Sequence, residues 1–217
     1  MLNDIKAAIF DMDGTLIDSM WVWSKIDVEY LRRKNLDFPP DLRTQIEHLS
    51  FIDTAKYFKN RFNLEDTIEE IMNEWNELAY YEYANNVDMK PGAKEFLERL
   101  KALNIKIGLA TSNCSMLLET VLKRHGILSL FDAITTTDEV NNDKSFPDVY
   151  LLSAKRLGVA PSKCIVFEDI LPAVMGAKAA GMKVVGVHDP YSSDQQALIM
   201  DKADHYIYEY DELNKAV

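Results

Sequence analysis

Residues 7–16 read AAIFDMDGTL, and this stretch decides both the fold and the place where chemistry is expected. Its apolar run, Ala7–Phe10, is typical of a short strand that is buried on both faces. Two acids, Asp11 and Asp13, follow directly, and Gly14 after them permits a tight turn. Because ligands of open parallel sheets bind where the strands end, we expect both carboxylates to face a binding site.

The pattern of a short apolar run followed by a helix-like segment recurs along the chain. It predicts further strands at Lys106–Ala110, Ala133–Thr136, Cys164–Phe167 and Val184–Val187. Apolar residues at three- and four-residue spacing predict helices at Gly92–Leu103, Cys114–His125, Pro147–Leu157 and Pro172–Ala180. This alternation predicts an α/β fold with a Rossmann-like, doubly wound parallel sheet as its core.

Residues 18–86 interrupt the alternation, because they show helical periodicity and no convincing strand. We predict that they form an α-helical cap domain inserted after the first strand. Residues 1–17 and 87–217 then form the Rossmann-like core. We expect the aromatic side chains of the insertion mainly to fill its own core rather than to stack on a ligand. They include Trp21, Trp23, Tyr30, Tyr57, Phe58, Phe62, Trp75, Tyr80, Tyr81 and Tyr83.

Bulk composition restricts the classes of function. The chain has 217 residues, of which 47% are hydrophobic and 27% charged, as in ordinary globular proteins. Its net charge of −11 argues against nucleic-acid and anionic-membrane partners, because both require basic patches. The two cysteines, Cys114 and Cys164, have no metal-like or redox-like spacing, which favours reduced thiols. We predict a cytoplasmic monomer that binds neither nucleic acid nor membrane.

Acidic pairs follow two of the predicted strands. Asp11 and Asp13 follow the first, and Glu168 and Asp169 follow the strand near residue 167. Close carboxylates repel one another, so one of them would be protonated unless a cation lay between them. Mg²⁺ prefers such hard oxygen ligands. The sequence therefore predicts a magnesium site at the carboxyl edge of the sheet.

Polar residues that could hold a phosphate follow two other strands. Thr111, Ser112 and Asn113 lead into a predicted helix, and free N–H groups at a helix N-terminus bind phosphate. The alternative is an ordinary helix cap, which Ser or Asn often supplies. Lys144 could neutralise phosphate charge, although an isolated lysine is usually solvated. The convergence of acid, hydroxyl and amine on one edge favours a site for a phosphate ester.

These residues resemble the four motifs of the haloacid dehalogenase superfamily. The matching segments are DMDGT at 11–15, ATSN at 110–113, Lys144 with FPD at 146–148, and FED at 167–169. They stand in the same order as in the family, and the resemblance covers essentially the whole chain. The helical insertion is similar to the small cap of the branch that contains β-phosphoglucomutase and phosphoglycolate phosphatase.

The resemblance implies catalytic roles for matching positions. Asp11 would be the nucleophile that forms an aspartyl-phosphate. Asp13 would be the general acid and then the general base. Thr111 and the backbone of Ser112 would hold the phosphoryl group, and Lys144 would balance its charge against Asp11.

The resemblance also implies a set of binding residues. Asp169 would complete a Mg²⁺ site with Asp11 and the backbone carbonyl of Asp13, and Glu168 would coordinate the metal or lie beside it. Asn113 joins Ser112 as a candidate substrate-binding residue.

In the cap, Trp23 and His48 are candidate contacts of the substrate.

Two segments depart from the family pattern. Ser145 stands where many relatives have proline, and the fourth motif continues Ile170-Leu171-Pro172-Ala173, where Ser or Ala and then Gly are common. Neither change removes a catalytic atom. The following helix keeps the small face expected of close packing, at Ala173, Gly176, Ala177 and Ala180.

The resemblance implies a Mg²⁺-dependent phosphatase that acts on a small phosphorylated metabolite, such as a sugar phosphate. The alternative is a sugar-phosphate isomerase like β-phosphoglucomutase. In that enzyme a histidine of the first cap helix controls the acid/base Asp, but here Trp23 stands twelve residues after Asp11. Residues 47–51, EHLSF, also lack the Arg-Gly pair of the mutase cap.

Two other classes fit the residues less well. A 2-haloacid dehalogenase uses no Mg²⁺, so Asp13, Glu168 and Asp169 argue against it. A non-catalytic scaffold would be expected to have lost at least one motif position, and all are present.

Overall fold

A computed structural model describes residues 2, 4–46 and 51–215 of the chain. They form two compact units. One holds the sheet and comprises the residues up to Asp18 and from Asp88 onward. The other is the insertion Ser19–Val87.

The strands of the described chain are β1 (Ala7–Phe10), β2 (Ile17–Asp18), β3 (Asp88–Met89), β4 (Lys106–Thr111), β5 (Ala133–Thr136), β6 (Cys164–Glu168), β7 (Lys183–Val187) and β8 (His205–Ile207). Six of them form a parallel sheet at the centre of the first unit, with the order β5-β4-β1-β6-β7-β8. A separate two-stranded antiparallel ribbon, β2 with β3, joins the chain entering the insertion to the chain leaving it.

The strand order reverses beside β1, which determines where a ligand can bind. From β1 the chain adds β4 and β5 on one side, then crosses to add β6, β7 and β8 on the other. Helices on the two sides diverge at such a point and leave a crevice at the carboxyl ends of the strands. The carboxyl ends of β1, β4 and β6 are therefore neighbours at this crevice.

Six α-helices belong to the described part of the unit that holds the sheet. Their buried apolar faces cover the sheet, since β1, β6 and β7 are almost entirely buried. Several helices are followed by a glycine with positive φ, which ends a helix at little steric cost, as at Gly126, Gly158 and Gly181. In chain order after the insertion, these helices are Ala93–Ala102, Ser115–Arg124, Asp148–Leu157, Leu171–Ala179, Gln196–Lys202 and Asp211–Lys215.

All regular secondary structure in the described part of the insertion is helical, and loops join the helices. Its helices are α1 (Met20–Arg33), α2 (Leu42–Ile46), α3 (Phe51–Phe62) and α4 (Ile68–Asn85), so the six later helices are α5 to α10. Helix α4 begins with a capping box between Thr67 and Glu70. Rings of Tyr30, Phe58 and Trp75 meet edge to face in the interior, with centroids 4.9–6.1 Å apart.

The predicted α/β class with a doubly wound parallel sheet is confirmed. The predicted strands at Ala7–Phe10 and Ala133–Thr136 have the bounds that the structure shows. We expected the aromatic side chains of the insertion to fill the core of the insertion. This holds for Tyr30, Phe58, Trp75 and Tyr83, whereas Tyr80 and Tyr81 are exposed. Among the described residues, no helix has the length and apolar character that a membrane span requires.

Candidate active site

The turn after β1 brings Asp11 into the crevice. The backbone N–H groups of Thr15, Leu16 and Ile17 all converge on the carbonyl of Met12, which closes a tight turn. Gly14 has a φ of 74°, and a Cβ there would overlap the carboxylate of Asp169. Glycine is therefore required both by the turn and by the close approach of an acid from another strand.

Three acids converge at this point from two adjacent strands. Asp11 follows β1, Glu168 ends β6 and Asp169 follows it. Each offers one carboxylate oxygen, and these oxygens all lie within 4.8 Å of one another. All three side chains are buried, and Glu168 is fully inaccessible to solvent. Thr15 donates a hydrogen bond from Oγ1 to Oδ1 of Asp169 over 2.8 Å.

Lys144 supplies a positive charge to the cluster. Its Nζ contacts Oδ1 of Asp11 and lies 2.8 Å from Oε1 of Glu168. The loop that carries Lys144 packs against Gly176 of α8, where a Cβ would lie 2.8 Å from the carbonyl oxygen of Phe146. The predicted small face of this helix therefore makes room for the Lys144 loop.

The electrostatics of the cluster follow from burial and from the excess of acids. Burial raises the pKa values of Asp11, Glu168 and Asp169, and the other acids add to the rise. Burial alone would lower the pKa of Lys144, but the charges of Asp11 and Glu168 outweigh it and raise that pKa. One lysine does not neutralise three buried carboxylates, so the site favours a further cation.

The segment between β4 and α6 contributes Asn113 at the same edge. Asn113 donates from Nδ2 to Oδ2 of Asp13 over 2.9 Å, and its Oδ1 accepts the backbone N–H of Cys114. The backbone N–H of Asn113 donates to Oγ1 of Thr111, which is buried, whereas Ser112 is exposed. The predicted residues from β1, β4 and β6 and Lys144 therefore meet at one edge.

The residues present fit a divalent cation such as Mg²⁺. Glu168 uses only Oε1 for hydrogen bonds, and within the described part of the chain no group donates to its buried Oε2. A buried carboxylate oxygen without a donor is costly unless a cation takes that place. Three carboxylates in one cluster also provide the hard oxygen ligands that Mg²⁺ requires.

The two predicted cap contacts have different outcomes. Trp23 lies on α1, half-buried, and its ring packs edge to face on Phe51 and Tyr83 within the insertion, with centroids 5.9 Å and 6.5 Å away. His48 lies outside the described residues. A contact of either residue with substrate stays a prediction.

Two residues of the site were not predicted. Thr15 lies within the DMDGT segment, but its bond to Asp169 depends on a contact across 154 residues that no local pattern reveals. Tyr150 of α7 donates to Oε1 of Glu168 over 2.8 Å. In the sequence Tyr150 has the spacing of an ordinary core residue of an amphipathic helix, so nothing there marks its hydroxyl as part of the site.

The arrangement defines a class of protein. At the point where its strand order reverses, a doubly wound sheet carries a buried acid that is a candidate nucleophile, together with a lysine and a cluster of acids that favours a cation. This combination suits the chemistry of phosphate esters. Comparison with known proteins agrees, since a model of the haloacid dehalogenase-like hydrolase family matches residues 8–187.

Three relatives illustrate the similarity. The provisionally assigned phosphatase YhcW of Bacillus subtilis is 32% identical over 98% of this chain and 96% of its own. A phosphorylated carbohydrates phosphatase of Thermotoga maritima is 30% identical, covering 84% of this chain and 85% of its own. The crystal structure of a provisionally named β-phosphoglucomutase from Thermotoga maritima has a TM-score of 0.83 and 28% identity, covering 98% of this chain and 100% of its own.

The chain belongs to the haloacid dehalogenase-like hydrolases. Within that family it is a phosphoric monoester hydrolase.

Proposed function

We propose that the protein is a Mg²⁺-dependent phosphatase that hydrolyses a small phosphorylated metabolite through an aspartyl-phosphate on Asp11. The observation that carries the proposal is the position of Asp11. Its buried carboxylate contacts Lys144 and lies within 4.8 Å of the oxygens offered by Glu168 and Asp169. An acid in a water-poor, charge-compensated site can attack a phosphoryl group that the same charges hold.

In this proposal the carboxylates of Asp11 and Asp169, the backbone carbonyl of Asp13 and Glu168 would hold Mg²⁺. When bound, the cation neutralises the negative charge that otherwise keeps a phosphate ester away from clustered acids. Lys144 compensates part of the charge of Asp11 and Glu168 through its contacts with both carboxylates.

The first half of the reaction transfers the phosphoryl group to the protein. A carboxylate oxygen of Asp11 forms a bond to phosphorus while the bond from phosphorus to the alcohol oxygen breaks. Asp13, protonated at this stage, gives its proton to the leaving alcohol. Thr111 and the backbone of Ser112 hold the transferring phosphoryl oxygens, because they end the neighbouring strand β4 and begin the approach to α6.

The second half restores the protein. Asp13, now ionised, takes a proton from water, and the water oxygen forms a bond to phosphorus. The bond between phosphorus and Asp11 breaks, inorganic phosphate leaves and the Asp11 carboxylate is free again. Both halves use the same acid in opposite protonation states.

A sugar phosphate is the substrate class that we propose. It is supported by the similarity to a phosphatase named for phosphorylated carbohydrates. We further propose that the insertion Ser19–Val87 acts as a cap that selects the leaving group, with Trp23 and His48 as candidate contacts. The predictions of a monomer and of a cytoplasmic location stay predictions.

A sugar-phosphate mutase is the second candidate, and the provisional name of the similar Thermotoga maritima structure favours it. Trp23 argues against it, because it occupies the position of the histidine that controls the acid/base Asp in the mutase. Incubation with β-glucose 1-phosphate and its bisphosphate activator separates the two candidates. A phosphatase releases inorganic phosphate, whereas a mutase yields glucose 6-phosphate.

The phosphatase proposal is tested by turnover of para-nitrophenyl phosphate with and without Mg²⁺, followed by a panel of phosphorylated metabolites. We expect metal-dependent release of phosphate and the highest kcat/KM with a sugar phosphate. The absence of metal-dependent turnover across the pH range would contradict the proposal. A highest kcat/KM with a substrate that is not a sugar phosphate would contradict only the substrate class.

A further inference from the structure

Glu168 is held at one oxygen by two donors from different parts of the fold. Its Oε1 accepts the hydroxyl of Tyr150 from α7 and Nζ of Lys144 from the preceding loop, each over 2.8 Å. Both lone pairs of that oxygen are thereby used. The other oxygen, Oε2, is buried and receives no donor from any described residue.

The two donors differ in how firmly they restrain the carboxylate. Lys144 carries its Nζ at the end of a long stem with four rotatable bonds, and that Nζ also contacts Asp11. Tyr150 is fully buried, and its ring packs in the core among residues of the sheet. Rotation about the last side-chain bond of a glutamate is soft, with broad and roughly two-fold wells. One bond from a lysine leaves that rotation open, and a second bond from an immobile ring closes it.

We propose that Tyr150 is a positioning residue of the metal site, which turns Glu168 so that Oε2, and not Oε1, faces the cation. The inference rests on the proposed function, because it takes Glu168 to be a ligand of Mg²⁺. Tyr150 does not touch substrate or metal. It acts through Glu168, as hydrogen-bond partners of metal ligands commonly do.

The test is the affinity of the metal-free full-length protein for Mn²⁺, an oxygen-seeking cation that can replace Mg²⁺. Electron paramagnetic resonance measures the concentration of free Mn²⁺ and does not require the enzyme to turn over substrate. Loss of such a hydrogen-bond partner costs roughly 10- to 100-fold in metal affinity. We therefore expect Tyr150→Phe to weaken Mn²⁺ binding by about tenfold or more. We also expect a higher half-saturating Mg²⁺ concentration for hydrolysis, with kcat at saturating Mg²⁺ within about threefold of wild type.

Tyr210→Phe is the matched control. Tyr210 is also fully buried in the same unit, and its hydroxyl has no partner among the described residues. Removing that hydroxyl should leave the Mn²⁺ dissociation constant within about twofold of wild type. A defect of packing alone would lower the melting temperature of Tyr150→Phe without changing the affinity of its folded fraction for Mn²⁺.

The outcomes separate the inference from the proposed function. If wild type binds Mn²⁺ and Tyr150→Phe binds it equally well, the inference is overturned and the proposed function stands. If Tyr210→Phe weakens binding as much as Tyr150→Phe, the hydrogen bond to Glu168 is not the cause and the inference is again overturned. If wild type binds no Mn²⁺, both are overturned.

Discussion

Asn113 and Asp13 are joined by a hydrogen bond from Nδ2 to Oδ2 over 2.9 Å, although 100 residues separate them in the chain. The carboxamide cannot turn freely, because its Oδ1 accepts the backbone N–H of Cys114 over 2.8 Å. Its nitrogen is therefore directed at the residue that we propose as the acid/base. The substrate-binding role that the sequence predicts for Asn113 stays a prediction, and the structure adds a contact of its side chain with Asp13.

Asn113→Ala should lower kcat by about tenfold or more and change KM by less than about threefold. General acid–base catalysis contributes roughly 10²- to 10⁴-fold, so misplacing Asp13 loses part of that contribution. Steady-state hydrolysis of para-nitrophenyl phosphate measures both constants. Glu119→Ala, at a half-exposed acid of α6, is the control and should retain kcat. A rise in KM with kcat unchanged would instead support direct binding of substrate by Asn113.

Asp11→Asn should abolish turnover and leave the protein folded. The substitution removes the attacking oxygen with almost no change of volume, and it relieves repulsion among three buried acids whose pKa values are raised. The melting temperature in metal-free buffer should therefore not fall. Asp201→Asn, at a largely exposed acid, should keep wild-type activity. Residual kcat above about one hundredth of wild type, a barrier change of only about 2.7 kcal/mol, would contradict covalent catalysis by Asp11.

Gly176→Ala should damage both stability and activity. The new Cβ would lie 2.8 Å from the carbonyl oxygen of Phe146 and still closer to that of Lys144, so the loop must move. Overpacking of this kind costs about 1–3 kcal/mol, and it shifts Lys144 away from Asp11. Urea denaturation and kcat measure the two effects. Met175→Ala, one residue earlier and 45% exposed, should change neither. Wild-type kcat in Gly176→Ala would show that the position of this loop does not control catalysis.

The sequence predicts those parts of the fold in which burial produces a local pattern. Strand β1 is one example, because all four of its residues are buried and apolar. Strand β8, His205–Ile207, was not predicted, since it has three residues and only Ile207 among them is buried. This short edge strand forms because it pairs with β7, and the local sequence pattern contains no signal of that pairing.

The site likewise has a part that the sequence predicts and a part that it does not. Motif residues at strand ends could be predicted because the carboxyl ends of parallel strands share one edge. The hydrogen-bond partners of those residues could not be predicted. The bond from Tyr150 to Glu168 joins a helix to a strand, and the bond from Asn113 to Asp13 joins two strand ends. Such contacts depend on side-chain directions in the folded protein.

Asp27 of α1 should make stability depend on pH. Burial raises its pKa from an ordinary 3.8 to about 7. The folded protein therefore holds this proton more tightly than the unfolded chain does. The resulting stabilisation is fully present below pH 3.8 and is lost as the pH rises through about 7.

Asp27→Asn should therefore be more stable than wild type at pH 8, by about 1–3 kcal/mol, because it carries no charge at this half-buried position at any pH. At pH 4, where the folded wild type keeps Asp27 protonated, the two proteins should differ little. Urea denaturation of both proteins at pH 4 and pH 8 measures the change. Asp53→Asn in α3, at a half-exposed acid, is the control and should show no such gain. An equal difference between Asp27→Asn and wild type at both pH values would contradict a half-buried, titrating Asp27, because the stabilisation must appear only where the wild-type carboxylate is ionised.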